Sequence, residues 1–381
     1  MSKTLLVIIT DRLSHIIGKG ELIDRYYNPG GVFSDVHILM TNDDRPDHAA
    51  LQRTVGDAKL TLHNLPSGMG LLARTLWRPC MLKNWADQAV KLAEEIKPDL
   101  IRCYGNFING YAAARIKDQL DIPLFVSLHT QPDQTRANPE VDFRTKVFYA
   151  LSKSVEKYTL QRADKVSCVY GSILDYARTK GANDPFVAYN VINPGKIVRK
   201  TDYCSSGPLK ILYVGRVIPA KNPLNIIHAL QDFDAELTVV GSGGKIQEAE
   251  ELVRELNLEE KVRFIPSMPN DELCRTMHEY DIFAGHSQYS EFPKTVLETS
   301  LCGLPILFNS RRGTPVPEFE NNIARMVEDS PSGYRSGIEF YRSEENRAEY
   351  GSRAVGFAED NWSPEHAEKV FADIHRELIG L

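Results

Sequence analysis

The sequence lacks the features that identify most metal, disulfide and membrane proteins. Its six cysteines are far apart, with no Cys-x-x-Cys pair and no cysteine–histidine spacing that suits zinc. We interpret them as reduced, structural thiols, which predicts a cytosolic protein without a metal site. The N-terminal apolar run, residues 5–9, is too short for a signal peptide or a membrane span, so any membrane contact should be peripheral.

Two further absences narrow the class of protein. No strand-like run is followed by a GxGxxG turn with an acidic residue at the usual distance, which argues against an oxidoreductase that binds a dinucleotide. No low-complexity tract interrupts the chain. We expect neither a cofactor nor a nucleic-acid partner.

The length and the charge distribution predict two domains of different character. A chain of 381 residues corresponds to about two domains of ordinary size. Residues 1–195 carry a net charge of +3 and residues 196–381 a net charge of −9, which together give the total of −6. A mildly basic first half could contact anionic lipid or an anionic acceptor. The alternative is ordinary scatter of charge between two domains.

Short apolar runs alternate with helical patterns along the chain. The predicted strands are residues 5–9, 36–40, 100–103, 124–127, 166–169, 186–189, 210–214, 236–240, 262–265, 282–284, 305–308 and 324–327. The predicted helices lie near residues 85–97, 107–119, 141–162, 172–180, 222–230, 246–256, 270–279, 294–302 and 332–341. Such apolar strands, separated by helices, are typical of parallel sheets covered on both faces. We therefore predict an α/β protein with two doubly wound, Rossmann-like domains that face a central cleft.

The predicted domain boundaries follow from composition. Residues 1–195 should form the first domain and residues 209–355 the second, with the polar segment 196–208 as a linker. Residues 356–381 should form a C-terminal helix. Ser363 is a plausible N-cap and Pro364 fits the first helical position.

The first motif of chemical interest lies at the end of a predicted strand. Gly215 permits a tight turn, and Arg216 and Lys221 lie on the path to a helix that begins near Asn222. Free N–H groups and the dipole at a helix N-terminus favour anions, and an arginine can bind two phosphate oxygens at once. The two cations could therefore face a diphosphate. Alternatively, both are solvated surface residues.

Two other strand ends have a similar character. Gly241 would let a ligand approach the backbone, although Gly-rich turns also end strands for steric reasons. Farther on, a helix that begins near Pro293 would leave the N–H groups of Lys294 and Thr295 free for a phosphate. Glu298, one turn into that helix, could bind ribose hydroxyls, as acidic residues do in other nucleotide sites. It could also only stabilise the first turns of its own helix.

In this order and spacing, the three motifs resemble the C-terminal domain of the family 4 retaining glycosyltransferases, which have the GT-B fold. Residues 215–221 match the family's G-R-x(4)-K turn, and residues 240–243 match its V-G-x-G turn. Residues 290–298 and 300–305 resemble its E-G-F-x(5)-E and A-x-x-C-G-x-P segments. The resemblance covers roughly residues 209–310 and is weaker in residues 1–195. It extends to the C-terminal helix after Trp362, which the family packs back on the first domain.

The resemblance implies a role for each matching residue. Arg216 and Lys221 would bind the donor diphosphate, Glu298 would bind the ribose, and residues 264–268 would border the base. The donor site would then comprise Gly215, Arg216, Lys221, Gly241, Ser267, Met268, Phe292, Pro293, Lys294, Thr295 and Glu298. On the acceptor side, the first domain would contribute Gly18, Gly20 and Asn106. The anomeric configuration would be retained, and no metal would be needed, because the two cations and the helix dipole neutralise the leaving diphosphate.

The sequence departs from the family where the sugar would react. Aligned without gaps from Glu298, Ser290 occupies the position of the family's first glutamate and Glu291 that of its glycine. Glu291 could take over that role through a one-residue loop shift. Alternatively, Ser290 contacts the sugar and the leaving phosphate acts as the base, or the enzyme is inactive or unusually selective.

One more candidate catalytic residue joins Ser290 and Glu291. His129 follows a predicted strand, at a position where the family has a histidine that faces the sugar. The alternative is a histidine that is hydrogen-bonded inside a strand-end turn.

We therefore expect a metal-independent, retaining glycosyltransferase of the hexosyltransferase type. It would move a sugar from a nucleotide-diphosphate sugar to a glycan, lipid-linked or small-molecule acceptor in cell-envelope polysaccharide assembly. The alternatives are a phosphorylase or a nucleotide-sugar epimerase on the same fold, or a non-catalytic protein that binds nucleotide sugars.

The segment 74–85 raises the question of membrane contact. It mixes cations with two tryptophans, which suits the surface of an anionic membrane but also an ordinary, partly buried helix. We expect a cytoplasmic protein, with peripheral contact at the inner face of the membrane as a further hypothesis.

Overall fold

The computed structural model describes residues 3–139, 141–190, 196–311 and 315–381. The chain forms two compact units, Met1–Val191 with Glu365–Leu381 and Ile192–Pro364. Each unit contains a parallel sheet accompanied by helices. This confirms the predicted α/β class with two Rossmann-like domains. Residues 191–195, where the predicted first domain ends, lie outside the described residues.

The first unit contains a sheet in the order β3-β2-β1-β4-β5-β6-β7, in which all neighbouring strands are parallel. Its strands are β1 (Thr4–Ile9), β2 (Asp35–Met40), β3 (Lys59–Asn64), β4 (Leu100–Tyr104), β5 (Leu124–Leu128), β6 (Lys165–Cys168) and β7 (Phe186–Val187). Its helices before the second unit are α1 (Leu13–Gly18), α2 (His48–Leu51), α3 (Met69–Thr75), α4 (Pro79–Ile96), α5 (Ile108–Leu120), α6 (Pro132–Ala137), α7 (Phe143–Leu160) and α8 (Leu174–Thr179).

The second unit repeats the arrangement with the strand order β10-β9-β8-β11-β12-β13, again parallel. Its strands are β8 (Leu209–Val214), β9 (Ala235–Val240), β10 (Val262–Ile265), β11 (Ile282–Gly285), β12 (Ile306–Asn309) and β13 (Arg325–Val327). Its helices are α9 (Leu224–Ala229), α10 (Ile246–Glu255), α11 (Asn270–Thr276), α12 (Lys294–Cys302), α13 (Pro331–Phe340) and α14 (Glu344–Trp362). The last helix of the chain, α15 (Pro364–Leu378), belongs to the first unit.

The sequence-based predictions did not include strand β3, most of helix α14, or the short helices α1, α2, α3 and α6. Strand β3 lies at the edge of its sheet and is only partly buried, so its residues alternate rather than forming an apolar run. Helix α14 buries Gly351, Ala354 and Ala358. A Cβ on Gly351 would lie 2.4 Å from the carbonyl oxygen of Gly303, at the end of α12. Close packing through small residues gives this helix little apolar periodicity.

The two predicted segments at the domain boundary also differ in detail from the structure. The stretch 356–381, predicted as a C-terminal helix, contains the end of α14 and the whole of α15, which begins at Pro364 as predicted. The segment 196–208, predicted as a linker, is packed on the second unit. There, Tyr203 donates a hydrogen bond to the carbonyl oxygen of Gly303 at 2.8 Å, and Arg347 donates to the carbonyl oxygen of Tyr203.

The strand order fixes where each unit can bind a ligand. In a doubly wound sheet, ligands bind beyond the carboxyl ends of the strands, where the strand order reverses direction. That point lies between β1 and β4 in the first unit and between β8 and β11 in the second. The loops that follow these four strands are therefore the places to look for a site.

Candidate functional site

The candidate site of the second unit is built on two loops whose backbones touch. Gly215 follows β8 and Gly241 follows β9. A Cβ on Gly241, whose φ is +150°, would lie 1.9 Å from the carbonyl oxygen of Gly215. Gly243 is equally constrained, because at φ +154° its Cβ would lie 2.3 Å from the carbonyl oxygen of Val217. Only glycine fits these positions, so the approach of the two loops accounts for both glycines.

Arg216 and Lys221 lie on the β8 loop. Ile218 and Lys221 exchange two backbone hydrogen bonds of 2.7 and 2.9 Å, which close a tight turn. The ammonium of Lys221 lies 2.6 Å from Oε1 of Glu291. The Arg216 side chain is exposed, and within the described ranges no hydrogen bond or ion pair engages its guanidinium. One of the two predicted diphosphate ligands is therefore paired and the other faces solvent.

The loop after β11 carries Glu291 to that lysine. Oγ of Ser287 donates a hydrogen bond of 2.7 Å to Oε1 of Glu291, the same oxygen that faces Lys221. Asn309 holds the backbone of Ser287 through two bonds of 2.9 and 3.0 Å. Gln288 N–H donates to the carbonyl oxygen of Ala220 at 2.8 Å, which joins the loop to the turn of Lys221. Ser290 is buried at 6 % exposure.

The loop ends at the N-terminus of α12. Pro293 is the N-cap residue and Lys294 is the first helical residue, as predicted. The N–H groups of Lys294 and Thr295 lie in the first turn, where the helix offers them no acceptor. The Phe292 side chain is buried against Phe319 and Trp362, with ring centres at 5.0 and 5.4 Å. At Phe292, therefore, the side chain anchors the loop in the core.

Glu298 lies on the first turns of α12 and is 1 % exposed. Its Oε1 accepts a hydrogen bond of 3.0 Å from Nδ2 of Asn270 and lies 3.5 Å from Nζ of Lys294. Asn270 begins α11 directly after the predicted base-binding residues Ser267 and Met268. The structure therefore brings the predicted ribose ligand next to the predicted base-binding segment.

A histidine and an aspartate are hydrogen-bonded to the backbone next to Lys221. Nδ1 of His286 accepts a hydrogen bond of 3.2 Å from the backbone N–H of Asn222, and its Nε2 donates to Oδ2 of Asp329 at 3.2 Å. Asn225 of α9 donates to the other oxygen of Asp329 at 2.8 Å. The hydrogen bond from His286 holds the pKa of Asp329 below its usual range. Sequence reasoning missed both residues, because 43 positions separate them.

In the first unit, His129 follows β5 and is half-buried, with its Nε2 atom inaccessible to solvent. Burial lowers its pKa to about 4, with a further contribution from the nearby charge of Arg102. Its Nε2 has no hydrogen-bond partner among the described residues. Its ring lies 5.9 Å from that of Tyr104, the last residue of β4. His129 is therefore neutral, and lies beside the point where the strand order reverses.

Asn106 faces the interior of the first unit. Its Nδ2 donates a hydrogen bond of 2.8 Å to the hydroxyl of Tyr176, which in turn donates to Glu156 at 2.8 Å. Glu156 is fully buried and forms an ion pair with Arg136. The side chain that was predicted to face an acceptor is thus part of a buried network that joins β4 to α7 and α8.

Gly18 and Gly20 lie at the end of α1, the helix that follows β1. Gly18 is the last residue of α1, and Gly20 follows it with a φ of +66°. The N–H of Gly20 donates to the carbonyl oxygen of Ile17 at 3.0 Å, and the N–H of Glu21 donates to that of Ile16 at 3.2 Å. The left-handed Gly20 is the usual way to end a helix. Helix termination therefore accounts for Gly20, and nothing within 4 Å of a Cβ on Gly18 requires a glycine there.

Comparisons with known proteins agree with this geometry. Residues 202–349 match the model of the glycosyl transferases group 1, and residues 34–196 match the model of glycosyltransferase family 4. The residues matched by each family model lie almost wholly within one of the two units, and the two matches together cover most of the chain.

The chain belongs to the family 4 glycosyltransferases.

Individual relatives are distant but cover much of the chain. An uncharacterized glycosyltransferase of Methanocaldococcus jannaschii is 23% identical over 262 residues, which is 68% of this chain and 70% of the relative. A D-inositol 3-phosphate glycosyltransferase of Mycobacteroides abscessus is 24% identical over 238 residues, or 58% of this chain and 53% of the relative. The solved structure of a sucrose-phosphate synthase from Thermosynechococcus elongatus superposes with a TM-score of 0.75 at 14% identity, and both chains are covered completely. That structure supports the GT-B fold.

In this family 4 glycosyltransferase, the structure bears on whether Ser290 or Glu291 takes the place of the family's first glutamate. Glu291 contacts the lysine of the predicted diphosphate site. Its carboxylate reaches Lys221 although it occupies the position of the family's glycine. The catalytic roles of Glu291, Ser290 and His129 stay predictions.

The segment 74–85 of this glycosyltransferase has its two tryptophans inside. Trp77 and Trp85 are 5% and 7% exposed, and Nε1 of Trp85 donates to the carbonyl oxygen of Pro66 at 3.1 Å. The large apolar residues that do face solvent nearby are Met69, Leu76 and Met81. In the described ranges, no helix has both the length and the apolar character that crossing a bilayer requires.

Proposed function

We propose that this glycosyltransferase transfers a sugar from a nucleoside-diphosphate sugar to an acceptor hydroxyl with retention of the anomeric configuration. The observation that carries the proposal is the ion pair of Lys221 and Glu291, which lies beside the N-terminus of α12 at the carboxyl edge of the second sheet. Cations and free helix amides at one such edge suit a leaving diphosphate.

On donor binding, the diphosphate would replace the Glu291 carboxylate as the partner of Lys221. Arg216 has no protein partner in the described part of the chain and is available to the diphosphate at once. Lys221 must be shared with, or released from, Glu291. A Glu291 carboxylate displaced from the lysine would then be free to accept hydrogen bonds from the sugar hydroxyls. In this proposal, diphosphate binding and orientation of the sugar are coupled through one carboxylate.

In the transfer step, the bond between the anomeric carbon and the phosphate oxygen breaks while the bond to the acceptor oxygen forms on the same face. The acceptor proton passes to the leaving phosphate oxygen, so no separate base is required. Arg216, Lys221 and the first amides of α12 would stabilise the charge that develops on the diphosphate. We propose that these groups suffice without a metal ion.

For the acceptor, we propose only a class of compound and the unit that binds it. A glycan, a lipid-linked sugar or a small molecule would bind to the first unit, in the assembly of cell-envelope polysaccharide. The name of the mycobacterial relative adds a phosphorylated cyclitol as an example of a small acceptor. A peripheral contact with anionic membrane through Arg74, Arg78 and Lys83 would suit a lipid-linked acceptor.

A ligand screen followed by product analysis tests the donor proposal. Thermal unfolding is measured with UDP, GDP and ADP, because a ligand that binds only the folded state raises Tm by mass action. We expect one nucleotide to raise Tm, Arg216→Met and Lys221→Met to abolish the rise, and Arg254→Met, an exposed site on α10, to retain it. Failure of all three nucleotides would overturn the proposal.

Turnover is then measured with the sugar nucleotide of the base that binds. Proton NMR of the product gives its anomeric configuration, and an assay in EDTA tests metal independence. Retention and full activity in EDTA are expected. An inverted product would refute the proposed stereochemistry, and binding without any turnover would favour a non-catalytic nucleotide-sugar-binding protein.

A further inference from the structure

The first unit contains a buried arginine that the proposed reaction does not use. Arg102 lies in the middle of β4 and is 1% exposed. Its guanidinium carbon lies 3.7 Å from the centre of the Phe125 ring and 4.5 Å from that of Tyr104. Phe371 of α15 adds a third ring at 5.3 Å. Aromatic faces attract a guanidinium, but they give its N–H groups no conventional hydrogen-bond acceptor.

The donors of Arg102 are only partly satisfied. Nη2 donates to Oγ of Ser127 at 2.6 Å. Nε and Nη1 are buried and have no hydrogen-bond partner in the described ranges. No aspartate or glutamate is found among the described residues that line the pocket around it. A charge that is buried without an opposite charge is costly, so the folded protein keeps this cation at the expense of stability.

Two histidines with unpaired nitrogens lie around the same pocket. His375 of α15 is 1% exposed, and neither of its ring nitrogens has a partner in the part of the chain that the structure describes. Nε2 of His129 is in the same state. Burial lowers the pKa of both histidines, so each is neutral near pH 7 and carries one N–H, and His129 also has a side-chain hydrogen bond with Asn190. The pocket therefore offers hydrogen-bond donors around a single positive charge.

The pocket extends from the carboxyl ends of the strands into the unit. His129 follows β5, Val169 follows β6 and Tyr189 follows β7, and all three line it. Arg102 and His375 line the deeper part, where the sheet meets α15. The pocket thus begins at the edge of the sheet where a doubly wound domain binds its ligand.

We propose that this pocket, the Arg102 pocket, binds an oxyanion, a phosphate or carboxylate group, carried by the acceptor substrate. The assignment to the acceptor rests on the proposed function; the assignment of an anion site does not. Arginine can only donate hydrogen bonds, and an oxyanion supplies the opposite charge and several acceptor lone pairs together. In the low dielectric beside Phe125 and Phe371, such a charge-assisted contact is stronger than it would be in water.

Thermal unfolding of the full chain in small anions tests the pocket apart from the donor site. Inorganic phosphate and acetate are titrated at constant ionic strength against chloride. Because phosphate could also bind the proposed diphosphate site, all measurements are made in the Arg216→Met/Lys221→Met background. At ten times its Kd, the preferred anion should raise Tm by roughly 2–4 °C. Phosphate and acetate distinguish the two kinds of oxyanion.

Variants of the pocket then assign the shift. In that background, Arg102→Met should abolish the rise in Tm. Arg115→Met should retain it, because Arg115 is already paired with Asp87 and does not line the pocket. His375→Gln serves if Arg102→Met fails to fold, and should reduce the rise. A rise that persists in Arg102→Met, or no rise with either anion, would refute the proposal. Because donor nucleotides are absent, the result is independent of whether the proposed transferase activity is correct.

Discussion

Oε1 of Glu291 lies 2.6 Å from the ammonium of Lys221 and 2.7 Å from the hydroxyl of Ser287. One carboxylate oxygen therefore accepts from both the lysine of the proposed diphosphate site and its own loop. Both partners of the ion pair are mostly buried, at 20% and 16% side-chain exposure. Removing the charge of Glu291 should therefore have opposite effects on nucleotide affinity and on the rate of transfer.

Glu291→Gln should bind the nucleoside diphosphate more tightly and transfer sugar more slowly. The amide can keep the bond to Ser287 but no longer competes with the diphosphate for Lys221, so affinity should rise about two- to fivefold. The loss of the carboxylate should lower kcat at least about tenfold. Calorimetric titration and initial rates check both. Ser290→Ala tests the alternative, since a larger loss of kcat there than in Glu291→Gln would assign the role to the serine.

Glu298→Gln should weaken binding of the ribonucleotide and leave binding of its 2′,3′-dideoxy analogue unchanged. A hydrogen bond to a charged group contributes about 1.5–3 kcal/mol, so the Kd of the ribonucleotide should rise at least about tenfold. The dideoxy analogue is the internal control, since it lacks the hydroxyls that the carboxylate would bind. Equal losses for both nucleotides would show that Glu298 only supports α12 through Lys294 and Asn270.

Gly241→Ala should destabilise the second unit and abolish nucleotide binding. The added Cβ would lie 1.9 Å from the carbonyl oxygen of Gly215, and φ is +150°. The clash and the backbone strain together should cost about 2–4 kcal/mol in the free energy of unfolding. Gly244→Ala is the control, because nothing lies within 4 Å of its Cβ. Denaturant unfolding curves of the two variants make the comparison, and similar curves would contradict the prediction.

Asp329→Asn should lower stability at neutral pH by about 1 kcal/mol, because the bond from His286 loses its charged acceptor. The folded protein lowers the pKa of Asp329 from its ordinary value of 3.8. The contribution is therefore fully present above pH 3.8 and is lost as the pH falls through the lower folded pKa. Free energies of unfolding should differ between wild type and variant at pH 7 and converge below that range. A difference that is the same at all pH values would rule out this role.

Arg74→Ala/Arg78→Ala/Lys83→Ala should reduce binding to anionic vesicles if these exposed cations contact a membrane. Co-sedimentation with vesicles that contain phosphatidylserine should fall severalfold and should depend on salt. Lys91→Ala, an exposed lysine farther along α4, is the control. Equal binding of the triple variant and the wild type would end the membrane hypothesis.

The sequence predicted those parts of the fold that rest on local pattern. Apolar runs located β1, β4 and β8, and Gly303 with Pro305 located the end of α12. Strand β3 and helix α14 were missed because one is a half-exposed edge and the other buries small residues. In both cases packing, and not hydrophobic periodicity, determines the element.

The candidate site also contains residues that the sequence located and residues that only the fold brings together. The order of the motifs located Arg216, Lys221 and Glu298, and the structure shows which partners they have. His286 and Asp329 meet only because β11 and β13 lie in one sheet, so no spacing in the sequence connects them. Arg102 did leave a signal, since a charged residue stands in the otherwise apolar run 100–103. A cation at a strand position that should be buried on both faces indicates a site.

Because α15 belongs to the first unit, it affects the order in which the two units can fold during synthesis. Phe371 and His375 complete the surroundings of Arg102, yet the ribosome synthesises them after the whole second unit. The second unit, Ile192–Pro364, is continuous and has its whole sequence before then. The domain that is translated first is therefore the last that can finish folding. A stop codon at position 365 would release a chain with a complete second unit and an open first one, and Arg102 would then be exposed to solvent.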